Sequence, residues 1–263
     1  MPLNIVVAAG DNCIDYYENL ERSYPTGNAV DVAVHLARLG VKTSLVSVTG
    51  SDEYGTQVVN LLQSNGVDTS HLQRQVGVTA VTEMQLVHND RVHVQYREGV
   101  LRDFKPTEEQ LRFTRTHRMV HTSIWGKMNS YLADFKCNGL TVVYDFSTKL
   151  DYPELESLLP EIDYAFFSYN EEDPFIHEFM RKAQSLGPKV VVVTLGEHGS
   201  VAYDGNRFYR CEAHPVDVVN TVGAGDSFIA GYMYGLLQEE SIQECLKRGS
   251  YLASTVVTKF EPY

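Results

Sequence analysis

Short apolar runs alternate with stretches of helical period along almost the whole chain. Leu3 to Ala9 is rich in β-branched residues and closed by Gly10, the pattern of a buried strand. From Asn28 to Leu39, the residues Ala29, Val32, Ala33, Leu36 and Ala37 fall on one helical face, and Gly40 supplies a C-cap. Thr43 to Thr49 reads as a strand, and Gly55 to Ser64 as a helix whose apolar side is Val58, Val59, Leu61 and Leu62. Further strands are predicted over Arg118–Thr122, Thr141–Phe146, Tyr164–Ser168 and Val190–Leu195. Helices fall between them near Ser130–Cys137 and Glu171–Leu186, and another follows Gly225. This alternation predicts an α/β fold whose mostly parallel central sheet is covered by helices on both faces.

Val78 to Tyr96 breaks the rhythm. Two alternating segments flank the turn-prone His88-Asn89-Asp90, the signature of a β-hairpin with no helix between its strands. Such a hairpin projects as a lid or dimer contact, or forms an antiparallel edge of the main sheet. With no internal repeat, low-complexity linker or charge block, residues 1–263 read as one domain carrying a small β insertion at about 78–99.

The formal charge of −12 argues against nucleic acid or an anionic membrane as partner, since binding to phosphate backbones needs basic patches. The four cysteines, Cys13, Cys137, Cys211 and Cys245, lie far apart without metal-ligand spacing and read as separate reduced thiols. The opening residues lack a basic stretch before their apolar run, and no apolar segment is long enough to cross a bilayer. A soluble, cytoplasmic protein is expected.

The strongest chemical signal is Asn220-Thr221-Val222-Gly223-Ala224-Gly225-Asp226-Ser227-Phe228. Helical spacing of Phe228, Ile229, Tyr232, Met233 and Leu236 places the glycine run at a helix start, where unpaired N–H groups and the positive dipole end face outward. Glycines let a phosphate approach that backbone, and a carboxylate just beyond it is placed to take a proton from an attacking hydroxyl. A capped glycine-rich turn is the bland alternative. A Walker A loop is absent, and GxGxxG fails at Phe228.

NTVGAGDSF closely resembles the DTxGAGD signature of the ribokinase-like sugar kinases, the phosphofructokinase-B family. The resemblance runs through the chain in the family's order. Gly10-Asp11-Asn12-Cys13-Ile14-Asp15 follows the first strand, and Gly27-Asn28-Ala29-Val30-Asp31-Val32-Ala33 is similar to GGNAxNxA. Gly50-Ser51-Asp52-Glu53-Tyr54-Gly55 resembles GxDxxG, Asn170-Glu171-Glu172-Asp173 stands at NxxE, and Thr194-Leu195-Gly196-Glu197-His198-Gly199 at TLGxxG. The resemblance implies a three-layer ribokinase-like sandwich with a small β lid, and an ATP- and Mg²⁺-dependent kinase. It implies Asp226 as catalytic base and Gly223, Ala224 and Gly225 as the anion hole. It assigns Asp11, Asn12, Asp15, Gly27, Asn28 and Asp31 to the sugar pocket. Asn170, Thr194, Gly196, Glu197 and Gly199 go to the nucleotide, and Asn170 with Asp173 to Mg²⁺ through water.

Within the family, GDNCID, GVTAVTEMQLVHNDRVHVQYREGV and HTSIWG resemble the fructoselysine 6-kinases, which implies a fructosamine phosphorylated on its 6-hydroxyl. Asp31 or Glu98 then becomes a candidate partner for the substrate's secondary ammonium, with Glu98 as a solvated lid residue the even alternative. His121 and Trp125 are candidates for the pocket wall, with core filling the alternative for Trp125, the sole tryptophan. The resemblance also implies closure of the lid over the sugar and dimerisation through it. Several positions depart from the pattern. Asn220 replaces an Asp tied to a monovalent-cation (K⁺) site, Asp31 an Asn, Thr26 a Gly and Asp173 a Glu. Another sugar kinase, a nucleoside kinase of the same fold and a catalytically weak nucleotide- or sugar-binding regulator remain alternatives.

Overall fold

A computed structural model describes residues 5–87 and 90–263. The chain opens with β1 (Val6–Ala9), β2 (Cys13–Tyr17), β3 (Arg22–Thr26), α1 (Asn28–Arg38), β4 (Thr43–Gly50), α2 (Glu53–Ser64) and β5 (Leu72–Gln75). It continues through β6 (Val81–Val87), β7 (Asp90–Arg97), α3 (Glu108–Thr114), β8 (Met119–Ser123), α4 (Leu132–Cys137), β9 (Thr141–Asp145) and α5 (Leu155–Leu158). The last part holds β10 (Tyr164–Ser168), α6 (Pro174–Ser185), β11 (Val190–Thr194), β12 (Ser200–Tyr203), β13 (Phe208–Cys211), α7 (Ala224–Leu237) and α8 (Ile242–Val256).

The main sheet has nine strands in the order β13-β12-β11-β10-β9-β8-β1-β4-β5, parallel from β11 to β5 and antiparallel at β12 and β13. β1, β10 and β11 are nearly continuous apolar runs because both faces are covered, whereas β8 also buries His121, Thr122 and Ser123. Along β9 and β10, Val142, Tyr144, Ala165 and Phe167 pack in the core on the side of α4 and α6. Val143 and Phe166 pack on the other side, with Val32 of α1 and Phe228, Tyr232 and Met233 of α7. That makes three layers.

Helix boundaries follow local capping. Asp52 caps α2 by accepting the Gly55 N–H at 2.9 Å, and Thr107 and Gln110 form a reciprocal capping box on α3. The expected helix from Glu171 begins only at Pro174, because Asp173 accepts the Ile176 N–H at 2.8 Å and Pro174 suits a first helical position. The segment near Ser130 enters as a 3₁₀ turn, Asn129–Tyr131, before α4.

The hairpin of β6 and β7 is present, with His88 and Asn89 of its expected turn outside the described residues. It does not stand alone. β6 runs parallel to β2, which pairs antiparallel with β3, so a four-stranded sheet in the order β3-β2-β6-β7 projects from the main one. The first two strands were not anticipated. Cys-Ile-Asp-Tyr-Tyr and Arg-Ser-Tyr-Pro-Thr mix charge and proline into short runs with no clean alternation. They are held by pairing and by a small apolar cluster of Tyr17, Tyr24 and Met84. No helix among the described residues is long and apolar enough to cross a membrane.

Candidate active site

Parallel strands aim their C-terminal ends at one edge of the sheet, where α/β proteins collect ligand-binding loops. Here that edge carries Asp11 after β1, Trp125 after β8, Asp145 at the end of β9 and Ser168 at the end of β10. A cleft of about 510 Å³ opens along it, bounded on the other side by Cys13, Asp15, Thr82 and Tyr96 of the four-stranded sheet. The four-stranded sheet therefore faces the edge at which the strands deliver their polar residues.

The glycine run forms the entry to α7. Gly223 is the N-cap with φ +71, a left-handed conformation that favours glycine, and an added Cβ would lie 2.6 Å from Pro262 Cβ. The first turn, Ala224-Gly225-Asp226, presents N–H groups that have no carbonyl one turn back; that of Ala224 turns to the Thr221 carbonyl at 3.3 Å. Gly223, Gly225 and Asp226 all line the cleft.

Asp226 is held by Asn28, at the start of α1. The Asn28 side-chain N–H₂ donates to Asp226 Oδ1 at 2.6 Å and to Asp145 Oδ2 at 2.8 Å, while its backbone N–H donates to Asp11 Oδ2 at 2.8 Å. One residue thus ties three carboxylates together. Gly27 permits it: its φ is +126, and a Cβ there would lie 2.9 Å from Asn12 Cα, so only glycine lets α1 start against the loop after β1. Burial pushes the Asp226 carboxyl well above the ordinary carboxylate range, and the charges of Asp31, Asp145 and Asp11 push it the same way. Burial likewise raises Asp11, and raises Asp145 to about 6 and Asp31 to about 8. Asp31 accepts hydrogen bonds from Thr26 Oγ1 at 2.7 Å and from the Tyr263 hydroxyl. Asp15 lines the cleft from β2.

Other expected residues are placed differently. Asn12 turns away, its Nδ2 donating to Ser47 Oγ and the Val48 carbonyl at 2.7 Å each, so it braces β4 rather than facing the cleft. Glu98 is taken by Lys127 Nζ at 2.7 Å and lies outside the cleft lining, so its charge is already answered. His121 is fully buried in β8 outside the lining, and burial lowers it to about 3. Trp125 lines the cleft and is 43% exposed, so it does not fill the core. Thr82 and Tyr96 of the expected hairpin line the cleft, and so do Asp145 and Ser147, whose residue types are too common to signal a site before the strands are aligned.

On the nucleotide side, Thr194 Oγ1 lies 2.9 Å from Ser168 Oγ, itself part of the cleft, and Gly196, Glu197 and Gly199 follow in the turn after β11. Asn170 is exposed beyond β10, and Asp173 is half-buried with one oxygen on the α6 cap. Asn220 does not fit a cation site. Its Nδ2 donates to the Phe260 carbonyl, and its Oδ1 accepts the Val222 N–H at 3.1 Å.

Residues 12–263 match the family described as pfkB family carbohydrate kinase. The chain is 38% identical over 255 residues to the fructoselysine 6-kinase of Escherichia coli, covering 97% of this chain and 98% of that one. It is 30% identical over 254 residues to the fructosamine kinase FrlD of Bacillus subtilis, covering 95% and 89%. The structure of an Arabidopsis thaliana ribokinase complexed with ribose and ATP superposes with a TM-score of 0.84 at 22% identity, over 99% of this chain and 94% of that one. A ribokinase-like fold, a glycine turn leading into a buried carboxylate and a full-length family match together place this chain in the pfkB family of carbohydrate kinases.

Proposed function

We propose that this protein transfers the γ-phosphoryl group of ATP to a fructosamine, at the 6-hydroxyl of a sugar bearing an amino-acid amine such as fructoselysine. The charge of the cleft carries the reading. Asp11, Asp15, Asp31, Asp145 and Asp226 line it, and none of its described lining residues is Lys or Arg. A secondary ammonium on the acceptor favours the ionised form of carboxyls that burial otherwise holds protonated, whereas a neutral sugar brings them no counter-charge and an anionic one opposes their ionisation. The likeness to the two fructosamine-directed enzymes supports the same acceptor.

The residues then divide the work. Asn28 Oδ1 is buried with no partner, an acceptor that a sugar hydroxyl would satisfy. Trp125 and Tyr96 offer aromatic faces to the sugar ring. The acceptor hydroxyl donates to Asp226, which takes the proton as the new O–P bond forms and the bond from the γ-phosphorus to the β,γ-bridging oxygen breaks, releasing ADP. The α7 turn binds the transferring group through its N–H groups. Mg²⁺ brought with the nucleotide would offset phosphate charge, and Asn170 with the Asp173 oxygen that does not cap α6 would hold it through water. Gly196 and Thr194 border the phosphates.

The lid sheet is also proposed as the contact between two copies, since Val94 on β7 lies outside the cleft lining and is 52% exposed; a monomer in sedimentation would remove this part. A cytoplasmic location suits an enzyme supplied by ATP. The substrate assignment is tested by ADP release with fructoselysine, fructose-asparagine, fructose, ribose and adenosine side by side. Fructosamines should give the highest kcat/KM. A higher value for adenosine or ribose would overturn the assignment while leaving the kinase chemistry standing.

A further inference from the structure

Asn220 lies at the entry to the phosphoryl turn, where the chain returning from α8 crosses over it. The residue is 7% exposed, and both ends of its amide are used. The two ends are not interchangeable. Turning the amide over would set oxygen against the Phe260 carbonyl and N–H₂ against the Val222 N–H, replacing two bonds with two repulsive contacts. A carboxylate at 220 could keep the Val222 bond, but its other oxygen would face the Phe260 oxygen in a buried setting. Only a proton or a cation between the two oxygens would relieve that contact.

We infer that the Asn220 amide does the work of a bound monovalent cation, tying the phosphoryl turn to the crossing segment so that the turn keeps its geometry without K⁺. Asn220 is a positioning residue, since it acts through the backbone it holds. The tie reaches beyond the turn. Phe260 packs against Tyr17 at 5.3 Å and Tyr24 at 6.2 Å in the lid sheet, and Arg22 of β3 meets Glu261 at 3.0 Å. His35 Nε2 lies 2.8 Å from the Pro262 carbonyl, and Tyr263 reaches Asp31. Residues 259–263 therefore join the phosphoryl turn, the lid and α1, and Asn220 fastens the end nearest the chemistry.

The melting arm of the test needs no acceptor, so it stands whichever sugar the enzyme phosphorylates. Melting temperature is measured for the wild type and for Asn220→Asp in KCl and in choline chloride at equal ionic strength, with initial rates alongside. The wild type should melt and turn over equally in the two salts. Asn220→Asp should melt about 4–8 °C lower in choline and recover most of that loss, with its rate, on saturable titration with KCl. Saturable K⁺ activation or stabilisation of the wild type would overturn the inference. So would an Asn220→Asp protein that is equally stable in both salts. Should the variant fail to fold, the wild-type titration still decides.

Discussion

Asn28 and Asp226 stand 198 positions apart in the chain, and the amide of the first donates to the carboxylate of the second at 2.6 Å. The same N–H₂ group holds Asp145 at 2.8 Å, so it fixes the direction of the base and answers part of its charge. Removing the donor should make the base harder to ionise. In Asn28→Ala, the acid limb of the kcat/KM profile should move to higher pH, and kcat should fall by about 10-fold or more. An unmoved limb would show that Asn28 only packs.

Asp226→Asn removes the proton acceptor and retains the shape. We expect kcat to fall by about 10²–10⁴-fold while the affinity for ATP, measured by calorimetry, is retained. Near-normal turnover would take Asp226 out of the mechanism. In the wild type, the base form of Asp226 appears only as pH rises past its elevated value, so the free enzyme should gain activity along an acid limb above the ordinary aspartate range. A bound ammonium acceptor favours the carboxylate form. The limb seen in kcat should therefore lie at lower pH than the limb seen in kcat/KM.

The buried carboxylates also govern the stability of the ligand-free protein. Asp31, raised by burial to about 8 from an ordinary value of 3.8, binds its proton more tightly when folded. Its contribution is fully present at low pH and is lost as pH rises towards 8. His35, lowered by burial to about 4 from 6.5, acts in the opposite sense, but its contribution is already complete above pH 6.5. The melting temperature should therefore fall between about pH 6.5 and 8.5, and less steeply in Asp31→Asn. A flat or rising trend in the wild type would contradict this.

Trp125 gives a cleaner test of the sugar face, because it is 43% exposed and its truncation leaves no core cavity. Trp125→Ala should raise the acceptor KM by about 10-fold, through a lost aromatic contact of about 1 kcal/mol or somewhat more, with the ATP KM and melting temperature little changed. A lower melting temperature with an unchanged acceptor KM would assign Trp125 to structure.

Gly223→Ala tests the phosphoryl turn itself. The φ of +71 and the approach of Pro262 both oppose a methyl group. We expect a loss of about 1–3 kcal/mol in stability and a fall in kcat larger than any change in acceptor KM. Denaturant unfolding and steady-state kinetics on the same preparation would separate the two effects.

The sequence by itself determined the layers of the fold and the helix start at Gly223, because these rest on local information. A strand such as Val190–Thr194 must be apolar throughout when both faces are covered, and a glycine run before an apolar helix leaves free N–H groups wherever it occurs. The motif at Asn28 and the carboxylate at Asp226 were legible for the same reason. Which partners those side chains take was not. Asp145 joins the site only because β9 ends beside α1, and Glu98 leaves it only because Lys127 comes within 2.7 Å. The strands β2 and β3 have no clean alternation and exist through pairing with each other, the pairing of β2 with β6, and the packing of Met84 with Tyr17 and Tyr24. Asn220 appeared as a weakened cation ligand until the Phe260 carbonyl, 40 residues on, gave its amide a donor's role. Those assignments depend on contacts between segments distant in the chain, and hydrogen-bond direction and charge compensation are properties of the contact rather than of either residue alone.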